Sequence, residues 1–193
     1  VSSSTCPHYL WFEAADAARL GNLLKVNPGL HGAEDRDALR RHLASGAIDT
    51  WSSDHAPHFA WEKARPYAQA PAGIPSVDLF WPLLLTLVDR GVLDLARAVD
   101  AAAVRPASIH RLPRKGALES GKDADLVLVD PRTSRRVAAE RLLSRAGQSP
   151  YEGLSLKGWP LATVLRGELA FVRDPGGSLH FPGAPRGRRL VRG

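Results

Sequence analysis

The order of elements in the first third of the chain constrains its fold most. Residues 1–4 are β-compatible and run into Thr5-Cys6-Pro7-His8-Tyr9-Leu10. Pro7 disfavours a strand interior, so a strand ends here and a loop follows. Glu34 to Ala44 reads as a helix. Leu39 and Leu43 repeat at i, i+4, Glu34, Asp35 and Asp37 sit where the helix dipole favours acids, and Ser45-Gly46 ends it. Ala47-Ile48-Asp49-Thr50-Trp51 is a second strand. Strand, helix, strand in this order is a βα unit with a parallel sheet. Just past the second strand comes Ser52-Ser53-Asp54-His55-Ala56-Pro57-His58, an acid and two imidazoles within five residues on a turn fixed by Pro57. Asp supplies a hard anionic oxygen ligand or a proton acceptor, and His a nitrogen ligand, a donor or a cation. Polar groups gathered past a strand's C-terminal end are where α/β barrels keep their chemistry. Taken alone, a D-H-x-x-H is more often a polar surface loop.

Between these elements, the alanines of residues 13–20 predict a short helix stopping at Gly21, and Leu23-Leu24-Lys25-Val26 a short strand. Asn27-Pro28-Gly29-Leu30 turns the chain; Asn27 suits an amide-bearing ligand, but Asn before Pro is also turn chemistry. His8 reads as a pocket residue or as a buried histidine satisfied by backbone bonds, and the second is the expectation. After His58 comes a loop rich in turn formers, Pro66, Pro71, Gly73 and Pro75, with Glu62 and Lys63 on a helical turn within it. Such a loop past a chemistry-bearing strand is often a lid or binding loop. Gly73 either brings backbone N–H groups to a ligand or makes a turn.

Asp78 to Asp89 is an apolar helix ending at Gly91, and Asp94 to Val104 a second one with Pro106 just past its end. Both have the look of helices that close a barrel, and the Leu/Phe stripe is core. The texture then changes. Ala124 to Asp130 is a strand ended by Pro131, Arg141 to Arg145 a short segment, and Leu161–Leu165 with Glu168–Val172 a hairpin around Arg166-Gly167. A boundary near residue 115 divides a 1–114 region from a β-rich 115–193 region, which carries no acid/base cluster and too few strands to close a sheet alone.

Composition narrows the function classes. The 193 residues are 44% hydrophobic and 24% charged, enough for a core. The net charge of +6 is uneven: Arg186, Arg188, Arg189 and Arg192 crowd the last eight residues, without aromatic stacking platforms. A solvated, frayed terminus is therefore expected rather than a nucleic-acid tail. Cys6 is the only cysteine, so no intrachain disulfide forms, as in a reducing cytoplasm. The apolar run Leu79 to Val88 is too short to span a membrane, and no signal peptide is expected at the start. The chain contains no Met and starts at Val1, so it is expected to be the C-terminal portion of a larger protein.

Several motifs occur together: T-C-P-H-Y-L at 5–10, K-V-N-P at 25–28, G-x-I-D-T-x-S-S-D-H-A-P-H at 46–58, G-K-D-A-D-L-V-L-V-D-P at 121–131, S-P-Y-E-G at 149–153 and T-V-L-R-G at 163–167. The set resembles dihydroorotase of the cyclic amidohydrolase group, whose relatives include allantoinase and hydantoinase. The resemblance runs to about residue 173 and implies an α/β fold. Residues 1–114 would be the C-terminal part of a TIM-like (β/α)8 barrel with its closing helices. Residues 115–193 would be strands of a small β-sandwich side domain and a basic tail. It further implies a binuclear metal centre, usually zinc, with most ligands upstream of Val1, that activates a water against the amide carbon of a cyclic ureide. Asp54 matches a metal ligand that is also the general base. His58 matches a histidine that binds the substrate carboxylate, Asn27 a substrate-binding asparagine, and Ala72-Gly73 a backbone contact to the ring. His8 and His55 match no metal-ligand position.

The pattern departs from the family at Gly29 and His31, in place of Pro and Arg, and at Ser76 and Asp78, in place of Gly and Glu. The resemblance implies a cytoplasmic enzyme of pyrimidine biosynthesis with a small-molecule substrate and no nucleic-acid or membrane partner, as a homo-oligomer or in complex with another enzyme of that pathway. Allantoinase or hydantoinase activity, against which His58 argues, and a non-catalytic scaffold subunit are the alternatives.

Overall fold

A computed structural model describes residues 1–190. Strand β1 (Ser4–Thr5) is followed by helices α1 (Pro7–Trp11), α2 (Ala17–Leu20) and α3 (Ala33–Ser45), and then by strand β2 (Thr50–Trp51). β1 and β2 pair in parallel, Ser4 with Thr50 and Thr5 with Trp51. The βα unit is thus present, with both strands shorter than expected. Pro7 starts a helix instead of a loop. At the first helical position its missing N–H costs nothing, and its fixed φ suits the turn.

Two further expectations are corrected. Residues 13–20 divide into a 3-10 turn, Ala14–Asp16, and the single turn of α2. Leu23–Val26 is not a strand: Gly21–Leu24 is a 3-10 helix, and Lys25 is then extended, its carbonyl accepting one backbone bond, from the Gly73 N–H, with no ladder. A strand needs a ladder for its carbonyls, whereas the carbonyls of Asn22 and Lys25 are taken by the Lys63 ammonium at 3.0 and 3.2 Å.

Beyond β2 the chain forms the one-turn α4 (Ala60–Lys63), a 3-10 turn Val77–Leu79, and α5 (Phe80–Asp89). α5 buries Leu83, Leu84 and Leu87 completely. α6 (Leu95–Val99) and α7 (Arg105–Ile109) are joined by a π-helical stretch, Asp100–Val104. Pro106 therefore lies inside the helical run. The wide turn spaces the backbone ahead of it, and Pro106 falls at the start of α7, where a proline is tolerated. Asp94 caps α6, its carboxylate accepting from the Arg97 N–H at 2.7 Å. The Arg97 guanidinium, with a side chain only 10% exposed, donates to the Leu43 carbonyl at 2.8 Å and the Asp49 carbonyl at 3.0 Å, and pairs with Asp100. It thus fastens α6 to the end of α3 and the start of β2.

The remaining strands are β3 (Leu126–Asp130), β4 (Arg135–Arg136), β5 (Ser155–Leu156), β6 (Trp159–Leu165), β7 (Glu168–Arg173) and β8 (Leu179–His180). They make an antiparallel sheet in the order β3-β6-β7-β8 and a separate β4-β5 pair. The expected hairpin is β6-β7, and the expected strand from Ala124 begins at Leu126. In place of the Arg141–Arg145 segment there is a 3-10 turn, Ala139–Arg141. Val137, Tyr151, Leu156 and Trp159 reach into the same apolar core as Leu10, Leu43, Trp51 and α5. The sheet itself is less covered: Leu128 is 55% and Leu169 44% exposed. Arg186 is not frayed, since it pairs with Glu168 on β7 at 2.7 Å. Arg192 lies outside the described residues. No helix among the described residues is long and apolar enough to cross a membrane.

Candidate active site

The C-terminal ends of β1 and β2 point the same way because the strands are parallel. The residues that follow them, Cys6 to Tyr9 and Ser52 to His58, therefore meet. Asp54 sits at the apex of the second turn with φ +44°. A non-glycine residue holds that conformation only when its surroundings impose it, and Asp tolerates it better than most. Its carboxylate is half exposed and lies 3.7 Å from Nε2 of His8. The sulfur of Cys6, a ring nitrogen of His8 and a carboxylate oxygen of Asp54 all lie within 4.8 Å of one another.

His8 is fully buried, and neither ring nitrogen has a hydrogen-bond partner among the described residues. The expectation that its ring would be satisfied by backbone is therefore overturned. Burial lowers His8 to about 4, with the nearby Asp54 charge opposing, so the ring is neutral at neutral pH. Burial also pushes the Cys6 thiol up, so Cys6 is no reactive thiolate. Tyr151, buried with its hydroxyl unpartnered, is raised well above the ordinary tyrosine range by the same cause. Asp54 thus faces neutral groups, and no lysine or arginine among the described residues pairs with it. An anionic oxygen beside a neutral imidazole fits a divalent cation, but one carboxylate is only one of the several ligands such an ion needs.

The other expected residues come from the end of the same turn and from two further segments. His58, half-buried, places Nε2 at 3.0 Å from the Ala72 carbonyl and Nδ1 at 3.9 Å from Glu62. Gly73 packs so tightly that a Cβ there would lie 2.5 Å from the Ala56 carbonyl oxygen and 3.1 Å from the His58 ring. Its φ of +141° also requires glycine. Its N–H donates to the Lys25 carbonyl at 2.8 Å, two residues before Asn27. Asn27 and Ala72 are exposed. The turn after Asn27 is held by the Tyr9 hydroxyl, which donates to the Pro28 carbonyl at 2.9 Å. Asp54, His58 and Ala72-Gly73 therefore belong to one network of loops, anchored beside Asn27.

The departures from the family pattern have local work. The Ser76 hydroxyl donates to the Ser53 carbonyl, next to Asp54. The Ser76 and Val77 N–H groups donate to Nδ1 of His55 at 3.0 and 3.1 Å, which makes that nitrogen an acceptor. His55 thus stitches loop to loop. The Asp78 carboxylate accepts from the Ser144 N–H at 3.0 Å and ties the start of α5 to the C-terminal region. The sequence did not signal the approach of His8 to Asp54 or the burial of Lys63. The first follows only from the parallel pairing of strands 46 residues apart in register.

Comparison with known proteins agrees with this arrangement. The Amidohydrolase family matches residues 5–170. A dihydroorotase of Halobacterium salinarum is 41% identical over 90% of this chain and 42% of its own length. One of Methanosarcina acetivorans is 40% identical over 87% of this chain and 36% of its own. Among solved structures, L-hydantoinase (dihydropyrimidinase) from Arthrobacter aurescens superposes with a TM-score of 0.84 at 33% identity, over 88% of this chain and 39% of that one. D-hydantoinase (dihydropyrimidinase) from Thermus sp. does so with a TM-score of 0.85 at 31% identity, over 95% and 41%. The chain spans about two fifths of the length of the curated relatives it matches.

Proposed function

This chain belongs to the amidohydrolase family, and from that premise we propose that it is the C-terminal part of a metal-dependent dihydroorotase. Such an enzyme interconverts L-dihydroorotate and N-carbamoyl-L-aspartate in pyrimidine biosynthesis. The observation that carries the reading is the single turn presenting Asp54 and, four residues on, His58, which is held beside the Ala72-Gly73 backbone.

In this reading Asp54 is both a metal ligand and the general base. Zinc, in a binuclear site completed by other ligands, would polarise the ring carbonyl and lower the pKa of the attacking water. Asp54 accepts the proton of that water and returns it to the leaving ring nitrogen, which requires hydrogen-bond reach to both. Its half-exposed carboxylate, paired with no lysine or arginine among the described residues, is available for that work. His58 binds the substrate carboxylate. Asn27 supplies an amide, and the backbone of Ala72 and Gly73 lies along the ring.

The same reading makes residues 1–114 the last two strands and closing helices of a (β/α)8 barrel. Residues 115–193 become part of a sandwich whose other strands lie elsewhere in the protein. The exposure of Leu128 and Leu169 supports a covering layer on the β3-β6-β7-β8 sheet. A cytoplasmic homo-oligomer, or a complex with another enzyme of the pathway, belongs to the proposal. A second reading is hydantoinase, favoured by the solved neighbours at TM-scores of 0.84 and 0.85.

The test is turnover of L-dihydroorotate, hydantoin and allantoin by the native metal-loaded protein and its His58→Ala variant. Dihydroorotate is expected as the best substrate, and the variant should raise KM for it more than for the uncharged rings. Preference for hydantoin would move the assignment to the second reading. No turnover of any ring would favour a scaffold subunit.

A further inference from the structure

Among the described residues Lys63 is the one buried lysine, at 5% exposure, and the reaction outlined above gives it no task. Its ammonium has no carboxylate partner among the described residues. It donates instead to three backbone carbonyls: Asn22 at 3.0 Å, Lys25 at 3.2 Å and Pro71 at 3.1 Å. These use all three of its N–H bonds. Lys25 runs the other way. Its ammonium donates to the carbonyls of Tyr67 and, at 2.6 Å, Ala70, and lies 4.5 Å from the centre of the Tyr67 ring. The side-chain amide of Asn22 closes the set by donating to the carbonyls of Lys63 at 2.9 Å and Arg65 at 2.7 Å.

Three stretches, 22–28, 58–65 and 66–73, are thereby tied together by side chains acting on backbone. The loop expected as a lid or binding loop is held as a fixed wall by these bonds. A carbonyl cannot leave an ammonium without moving its own peptide, so each bond restrains φ and ψ on both sides. Pro71 precedes the Ala72-Gly73 pair. Lys25 precedes Asn27 by two residues and accepts from Gly73. Lys63 follows His58 by five, at the end of α4.

We infer that Lys63 is a positioning residue: with Lys25 it clasps loop 66–73 onto residues 22–28 and sets where the Ala72-Gly73 backbone, Asn27 and His58 stand around the substrate ring. The inference rests on the dihydroorotase reading for the identity of the ring, and on geometry alone for the clasp.

Two variants test it in the native protein. Lys63→Met keeps the length and removes every donor. Lys25→Met removes two bonds from a half-buried position and so spares the fold if Lys63→Met does not. Amide hydrogen exchange is read first, without substrate. The clasp predicts exchange faster by at least about tenfold across 66–73, with α3 and α5 unchanged. Unchanged exchange in both variants, or acceleration spread over the whole chain, overturns it. Kinetics follow on whichever ring the wild-type protein turns over. The positioning role predicts a KM raised about tenfold with kcat within about threefold, as expected when uniform binding is lost. An unchanged KM despite a loosened loop overturns it. Failure of the wild-type protein to act on dihydroorotate would count against the substrate reading alone, because the exchange result does not depend on it.

Discussion

Two lysines, one in each region, show two different ways in which this chain uses charge. Lys63 lies among backbone carbonyls. Burial, with the Lys25 charge adding to it, lowers Lys63 to about 8. Lys115 lies between Asp123, at 2.9 Å, and Asp125. Burial pulls Lys115 down too, but its hydrogen bonds to Asp125 and Asp123 outweigh that and the net shift is upward. The first arrangement is costly and buys geometry, since a cation bonded to carbonyls holds the main chain itself. The second is charge pairing between side chains, which stabilises but leaves the backbone path less determined. The loops that carry the proposed site residues hold the first kind at Lys63, and Arg97, bonded to carbonyls at the end of α3 and the start of β2, is of that kind too.

The largest expected effect tests whether function is confined to the first region. In the dihydroorotase proposed above, Asp54→Asn would remove the base and a negative ligand, so turnover should fall by about 10²–10⁴-fold, while the melting temperature holds within a few degrees. Retained turnover would remove Asp54 as the base and, with it, the contrast between the two halves.

The lysines themselves give a test of sign. For Lys63 the folded value lies below the unfolded one, so between about 8 and 10.5 the unfolded chain binds more protons and stability rises with pH. The gain is at most about 3 kcal/mol, because the carbonyl acceptors favour the ammonium and oppose it. For Lys115 the folded value is raised. Its contribution is complete below the ordinary lysine value and is lost as pH climbs through the raised one. Denaturant unfolding of wild type against Lys63→Met and Lys115→Met, over pH 7 to 11, should therefore give difference slopes of opposite sign. Slopes of the same sign would break the comparison.

A third test probes the seam. Gly158, between β5 and β6, has φ +73°, and a Cβ there would lie 2.5 Å from Cβ and 2.6 Å from Cδ1 of Leu85 on α5. Gly158→Ala should cost about 2 kcal/mol through overpacking and left-handed strain. The two regions share one apolar core, so chemical denaturation should remain a single transition. Two transitions would mean that they unfold separately.

What could be read without coordinates follows from the range of the interactions involved. Asp54, His58 and the strand before them are neighbours in sequence, as are the acids and leucines of α3, and their meaning is local. Lys63 is invisible on those terms. In sequence it sits in a polar loop, and its partners lie up to 41 residues away and are carbonyls, which no side-chain pattern betrays. The same fact explains the misread strand at Leu23–Val26. Leu24 and Val26 are both buried, as in a strand, but the Asn22 and Lys25 carbonyls bond the Lys63 ammonium and no ladder forms. Burial of His8 is the expectation from sequence, but its unpartnered ring and its approach to Asp54 follow only from the register of β1 on β2.

The smallest effect is the most discriminating for the second region. Arg186 and Glu168 meet at 2.7 Å, but the glutamate side chain is 65% exposed. Water already solvates such a carboxylate, and holding two long side chains together has an entropic cost, so the net gain of the pair is small. Glu168→Gln should change stability by less than about 0.5 kcal/mol, and added salt should erase even that. A loss above about 1 kcal/mol would mean that Arg186 is held as firmly as Arg97. The carbonyl of Arg186 accepts from the Arg166 guanidinium, so the pair would then be fastening the tail onto the turn between β6 and β7. The Arg173 guanidinium already holds backbone in that sheet, donating to the Pro160 carbonyl at 3.1 Å, so the division between geometry-setting and merely pairing cations would then have to be drawn by burial instead of by region.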